Sequence, residues 1–297
     1  MRFPKFLTVA LRSLLVFLAA AVHAPAHAQE PATSPAPATP LVIGETFTIA
    51  SKILGETRRI NVYVPPPPFG SGNANAANPS EQRLPVLYMP DGGLTEDFLH
   101  VAGLVQVSVG NGTMRPFLLV GIENTQRRRD LTGPTENEED KKIAPRVGGS
   151  AAFRKFLRDE LMPQIKARYR TTDETAIVGE SLAGLFVLET LFLEPDLFDT
   201  YLAFDPSLWW NHQKLIAIAA EQLSAQPGLT KQLYFATSDE PQIVADAQRL
   251  AEVLAKDAPA GFHWHYEKMP EESHATIFHP AALKAFRAVF APAANAH

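Results

Sequence analysis

The chain contains no cysteine among its 297 residues. That single absence removes thiol nucleophiles, disulfides, thiolate metal sites and a lipidated cysteine together. A fold without these staples must rest on its hydrophobic core. About 255 residues follow residue 40, enough for one large domain. An excess of positive charge is also missing, since the formal net charge is −5. The one basic run, Arg127-Arg128-Arg129, is too short for a nucleic-acid patch, so no nucleic-acid partner is expected. Long apolar runs are absent too. Leu14 to Val22 is too short to span a bilayer and is preceded by Arg2, Lys5 and Arg12. With the small-x-small site Ala26-His27-Ala28 it reads as a signal peptide over 1–28. The expectation is an exported, periplasmic or secreted protein with no membrane attachment after cleavage.

Residues 29–40 are Pro/Ala-rich and read as a linker, leaving a single catalytic domain over 41–292. Within it, short β-branched or aromatic runs alternate with amphipathic stretches. Strands are expected at Arg59–Val64, Leu84–Met89, Pro116–Ile122, Thr175–Val178, Tyr201–Phe204, Gln232–Ala236 and Phe262–Tyr266. Helices are expected at Leu94–Val107, Ala151–Arg168, Leu182–Leu193, Gln213–Ala225, Gln242–Lys256 and Ala281–Phe290. Regular alternation predicts an α/β fold, a mostly parallel twisted sheet with helices on both faces. Ligands in such sheets bind beyond the carboxyl ends of the strands. Two stretches interrupt the pattern: Pro65–Gln82, a surface excursion, and Asn124–Gly149, a long charged loop expected to be functional or disordered.

The strongest chemical signal is Gly179-Glu180-Ser181-Leu182-Ala183-Gly184, entered by a β-rich run and left by an apolar helix. A nucleophile elbow needs that context, with Ser181 on the corner and the Leu182 amide beside a developing oxyanion. Serine is a weak nucleophile and needs a base. His274 lies after the last strand, where the base of a Ser–acid–His order belongs, with His279 as the fallback. The acid is sought after the Gln232–Ala236 strand, where Asp239 and Glu240 both qualify and Glu240 is preferred. Gly92 or Gly93, after the Leu84–Met89 strand, is expected to expose the second oxyanion donor. His263 and His265 share a strand face, and a metal pair there is the minor reading; no metal is expected.

These segments together resemble the bacterial putative-esterase family, which contains the enterobactin and salmochelin esterases and the esterase D-like hydrolases. The marks are the Leu84–Gly92 strand and turn, Val120–Asn124, Arg127–Thr132, the Gly179–Gly184 elbow, Pro195–Asp199, Asp205–Trp210 and His274. The resemblance implies an α/β-hydrolase that cleaves carboxylic esters of small molecules without a cofactor, with Ser181 and His274 as the pair. It also implies a substrate pocket shaped by Arg129 and Asp130, with Trp209 or Trp210 lining it. The family usually reads Gly-His-Ser-x-Gly-Gly, so Glu180 and Ala183 are departures. A Glu180 carboxylate would repel anionic substrates, recognise cationic ones, or form a structural ion pair. Competing readings are a feruloyl or acetyl esterase, an acyltransferase, and an inert binding protein on the same scaffold.

Overall fold

The computed structural model describes residues 38–66 and 82–292. The signal-peptide segment 1–28, most of the 29–40 linker and most of the 65–82 excursion lie outside the described residues. From Val42 onward the described chain forms one compact unit.

Its centre is an eight-stranded sheet built from β1 (Glu45–Ser51), β2 (Glu56–Tyr63), β3 (Leu84–Pro90), β4 (Leu118–Ile122), β5 (Thr171–Glu180), β6 (Thr200–Phe204), β7 (Gln232–Thr237) and β8 (His263–Lys268). The spatial order is β1-β2-β4-β3-β5-β6-β7-β8. β2 runs antiparallel to both β1 and β4, and every pairing from β4 to β8 is parallel. This is the expected mostly parallel α/β-hydrolase sheet. The sequence reading missed β1: its segment Glu45–Ser51 alternates weakly and only two of its residues are buried. An edge strand needs little apolar pattern because one side of it faces water.

β3, β4 and β6 are buried along their whole length, as strands covered on both faces must be. On one face pack α1 (Phe98–Gly110) and α9 (Phe278–Val289), with Phe117, Phe286 and Phe290 between helix and sheet. The other face carries α4 (Ser150–Phe156), α5 (Met162–Arg168), α6 (Leu182–Leu193), α7 (Trp210–Ser224) and α8 (Pro241–Asp257). A π-helical turn, Leu157–Leu161, joins α4 to α5. There the helix adjusts to Pro163, which has no N–H to give. α6 has no polar stripe, and every residue from Leu182 to Phe192 is buried. A helix apolar on nearly every side belongs inside the molecule. The buried Glu189 of α6 is paired with Arg154, and α6 holds the corner from which it starts.

The charged stretch 124–149 is built rather than loose. It forms two short helices, α2 (Arg127–Asp130) and α3 (Glu138–Ile143). Asp130 meets the fully buried Arg58 of β2 in an ion pair. The Trp210 indole donates to Gly133 O at 3.0 Å, and the Asn211 amide donates to Asp140 Oδ2 at 2.7 Å. Asn211, His212 and Gln213 are held left-handed at φ 48°, 55° and 57°, which kinks the start of α7. Consecutive left-handed residues with side chains are unfavourable. Asn211 Oδ1 offsets this by accepting from the Glu136 amide at 3.0 Å.

Candidate active site

Three neighbouring parallel strands end alike. Asp91 follows β3, Ser181 follows β5 and Asp205 follows β6, and all three have positive φ, at 58°, 60° and 40°. Residues bearing a Cβ avoid this region, and where they occupy it the surroundings hold them there. The result is a row of polar side chains thrown up at the carboxyl edge of the sheet.

The elbow is fixed by contacts at its small residues. A Cβ on Gly179 would stand 2.6 Å from the Ala183 Cβ, so Ala183 is tolerated because position 179 is bare. A Cβ on Gly184 would stand 2.9 Å from Phe204 O and 3.1 Å from the Pro206 Cα. Glycine at 184 therefore lets α6 lie against the loop that carries Asp205. The Ser181 amide donates to Phe204 O at 3.0 Å, and the Ser207 amide donates to Ser181 O at 3.1 Å. These bonds tie elbow and Asp205 loop into one piece. α6 begins at Leu182, whose amide is one of those that a helix start leaves without an intrahelical partner.

His274 comes from the turn between β8 and α9. Its Nε2 lies 3.2 Å from Ser181 Oγ, and its Nδ1 lies 2.9 Å from Asp205 Oδ2. Asp205 has no solvent exposure. Its two carboxylate oxygens also accept from the Ser238 amide and the Ser238 hydroxyl, each at 2.6 Å. The bond to Asp205 is the main cause of a His274 pKa above the ordinary 6.5, opposed by partial burial and aided by the charge of Glu180. Glu180 is itself pushed up to about 7 by burial.

The carboxylate on His274 is thus Asp205, at the end of β6, rather than Asp239 or Glu240. Asp239 and Glu240 are exposed. The Glu240 amide donates to the Ser238 hydroxyl, and the Glu240 charge acts on His274 less strongly than Asp205 or Glu180. The acid sits one strand earlier than the order of elements suggests. Its signal in the sequence is Asp205-Pro206-Ser207 directly after an apolar strand, a block whose local pattern carries a family resemblance and nothing that marks the acid. His279 is exposed and its ring faces His100, not Ser181.

The expected oxyanion glycines are differently employed. The Gly92 amide donates to Ile122 O at 3.0 Å, and the Gly93 amide donates to Glu96 Oε2 at 2.7 Å. Gly92 is glycine because β4 passes against it: a Cβ there would lie 2.2 Å from Ile122 N. Among the named oxyanion candidates, Leu182 alone keeps its amide beside Ser181.

Arg129 and Asp130, expected at the pocket, are engaged elsewhere. Arg129 pairs with Asp130 at 2.6 Å and with Glu56 at 2.7 Å, and these partners, with the buried Arg58, lock α2 onto β2. The arginine that reaches the site is Arg127, missed by the sequence reading. It grips Asp91 in a two-pronged pair at 2.6 and 2.8 Å, and its Nη2 lies 3.4 Å from Glu180 O. Trp209 is half-buried against the core. Trp210 is buried and, with Leu185, Glu189, Lys214 and Ile218 of α6 and α7, lines a mostly apolar cavity of about 140 Å³. His263 and His265 lie exposed on the edge strand β8, where His265 faces Glu267 at 3.4 Å. Among the described residues, the His, Asp and Glu side chains close enough to share an ion are Glu180, Asp205 and His274, not that pair.

Ferri-bacillibactin esterase BesA of Bacillus subtilis (strain 168) is 32% identical over 181 residues, covering 52% of this chain and 56% of that protein. The iron(III) salmochelin esterase of Escherichia coli O6:H1 is 24% identical over 176 residues, covering 58% of this chain and 37% of that protein. The chain therefore aligns with about half, or less, of the length of these curated relatives. Among solved structures, an IroE-like serine hydrolase from Shewanella oneidensis superposes with a TM-score of 0.71 at 28% identity, covering 83% of this chain and 80% of that one. The BES protein from Bacillus cereus shares the fold at a TM-score of 0.73 and 22% identity, covering 86% of this chain and 99% of that one. Residues 51–293 match the family described as "Putative esterase", and with its serine elbow at the carboxyl edge of this sheet the chain belongs to that family.

Proposed function

We propose that the protein is a serine carboxylic-ester hydrolase in which Ser181 is the nucleophile, His274 the general base and Asp205 the residue that orients it. The observation that carries this reading is the continuous chain Ser181 Oγ–His274 Nε2, His274 Nδ1–Asp205 Oδ2, at 3.2 and 2.9 Å. Asp205 accepts the Nδ1–H, which leaves Nε2 with its lone pair toward Ser181. Nε2 takes the hydroxyl proton as Oγ bonds to the ester carbonyl carbon. The Leu182 amide, at the positive end of α6, donates to the oxyanion. Collapse expels the alcohol, which takes the proton from Nε2. Water then repeats the cycle on the acyl-enzyme. The two Ser238 bonds satisfy the buried Asp205 side chain and fix it toward Nδ1, so it can hold the imidazolium.

The substrate class proposed is a siderophore-type ester, on the strength of what the named relatives cleave. Export is proposed on the 1–28 segment; N-terminal sequencing of the mature protein should begin at Gln29. The decisive assay is hydrolysis of a p-nitrophenyl ester series and of a catecholate trilactone, ferric and iron-free, by wild type and Ser181→Ala. Turnover that vanishes with the serine supports the mechanism. Equal turnover in both removes it, and trilactone left intact while simple esters are cleaved would withdraw the substrate class.

A further inference from the structure

His274 Nε2 faces two oxygen acceptors rather than one. Ser181 Oγ is 3.2 Å away and Glu180 Oε1 is 3.3 Å away. Glu180 is the last residue of β5, so the turn that presents the serine also presents this carboxylate. Its Oε1 is buried and makes no hydrogen bond, although it lies within ion-pair distance of the imidazole. An oxygen in that position gains a strong partner only when Nε2 carries a proton.

The other charged groups around Glu180 leave this pairing in place. Arg127, from α2, points its fork at Asp91 and reaches the Glu180 backbone carbonyl, and its charge favours the ionised Glu180 from a distance without a hydrogen bond to the carboxylate. Asp91, after β3, offsets the Arg127 charge, and Asp97, before α1, acts on that same arginine. Asp205, after β6, is a like charge that disfavours the Glu180 carboxylate, and Glu240, before α8, adds a weaker negative charge at His274. The positive partner that Glu180 can gain is therefore the His274 imidazolium.

We propose that Glu180 is a positioning residue that acts on catalysis through His274: by giving the Nε2 proton a second carboxylate, it sets the pH above which the base is free to activate Ser181. The inference rests on the serine-esterase reading. Glu180 forms and breaks no covalent bond. In the resting pair, one proton gives either imidazolium with carboxylate, which is idle, or imidazole with carboxylic acid, which is competent. In turnover the proton still passes from Ser181 Oγ to Nε2 and on to the leaving alcohol. The two groups lie 3.3 Å apart, burial pushes Glu180 up to about 7 and the bond to Asp205 raises His274, so the protonation of each depends on the other and they titrate as a pair.

The test is the pH profile of kcat/KM on a neutral p-nitrophenyl ester for wild type and Glu180→Gln, with the imidazole titration of His274 followed by NMR. The His274 signal is assigned from its loss in His274→Gln. Removing the negative charge should move the acid limb and the imidazole midpoint down together by about one pH unit or more. KM for the neutral ester should change far less than the profile, as expected of a residue that acts through the base. Wild type alone should show a two-step His274 titration, which keeps the inference testable if the variant does not fold. An unshifted acid limb, or a single simple His274 step in wild type, overturns it. Full turnover by Ser181→Ala would instead remove the underlying esterase reading, whatever the titration shows.

Discussion

The Asp205 carboxylate is wholly buried, and His274 Nδ1 and both donors of Ser238 converge on it. A polar side chain so enclosed is tolerated because its oxygens are hydrogen-bonded. Asp205→Asn should keep the fold but lower kcat by about 10² to 10⁴, because the amide favours the wrong imidazole tautomer. Asp239→Asn and Glu240→Gln should leave kcat within about twofold, since surface substitutions away from such networks have small effects. A kcat loss confined to Glu240→Gln would return the acid to the position that the sequence suggested. Ser238→Ala removes one donor to Asp205 and should lower kcat by about tenfold, as loss of an outer hydrogen-bond partner often does. Because His274 must be neutral to accept a proton and its pKa is raised above 6.5, kcat/KM should climb with pH through a midpoint above that value.

At the scale of elements, the site depends on strand ends meeting helix starts at backbone contact. Gly92 stands where the end of β3 crosses β4, and an added methyl would press on the Ile122 amide and the Gly121 backbone. Neither can retreat from the sheet centre, so Gly92→Ala should cost roughly 2–4 kcal/mol in denaturant unfolding. Gly184→Ala presses instead on the loop between β6 and α7. That loop carries Asp205, so this variant should lose more in kcat than in stability. About 10²-fold is the scale expected when catalytic groups are displaced by an ångström. Unchanged kcat in Gly184→Ala would show that the loop can yield without disturbing the triad.

For the whole molecule, stability without disulfides comes from the two apolar layers that flank the sheet and from a few buried ion pairs. Arg58 with Asp130 ties the 124–149 segment to β2, and both side chains are shielded from water. Asp130→Asn should lower unfolding stability by about 1–3 kcal/mol, since it removes one of the two carboxylates on a buried guanidinium that keeps Glu56. Glu267, bonded to Lys284 and Tyr234, has its pKa lowered from 4.5 to about 2. Its stabilising effect is full above 4.5 and is lost as pH falls toward 2, so Glu267→Gln should flatten that part of the acid-unfolding curve. Among the described residues no helix is long and apolar enough to cross a membrane.

Sequence by itself determined most of the sheet, its longer helices and the strand-to-helix corner at Ser181, because these follow from local periodicity, small residues at a turn, and the order of strands. Seven of the eight strands and the limits of α6 were legible in apolar runs. The tertiary structure decided which carboxylate meets His274, because Asp205 and Asp239 both follow apolar strands and only the close packing at Gly184 brings the first under the imidazole. It decided likewise that Arg127, not Arg129, reaches the site, since three adjacent arginines on one helical turn differ only in what lies opposite each. Gly92 and Gly93 looked like free donors because backbone bonds to a distant strand or side chain leave no local trace. And only folding sets Glu180 Oε1 3.3 Å from the atom that Ser181 must reach, since that distance depends on a turn almost a hundred residues further along the chain.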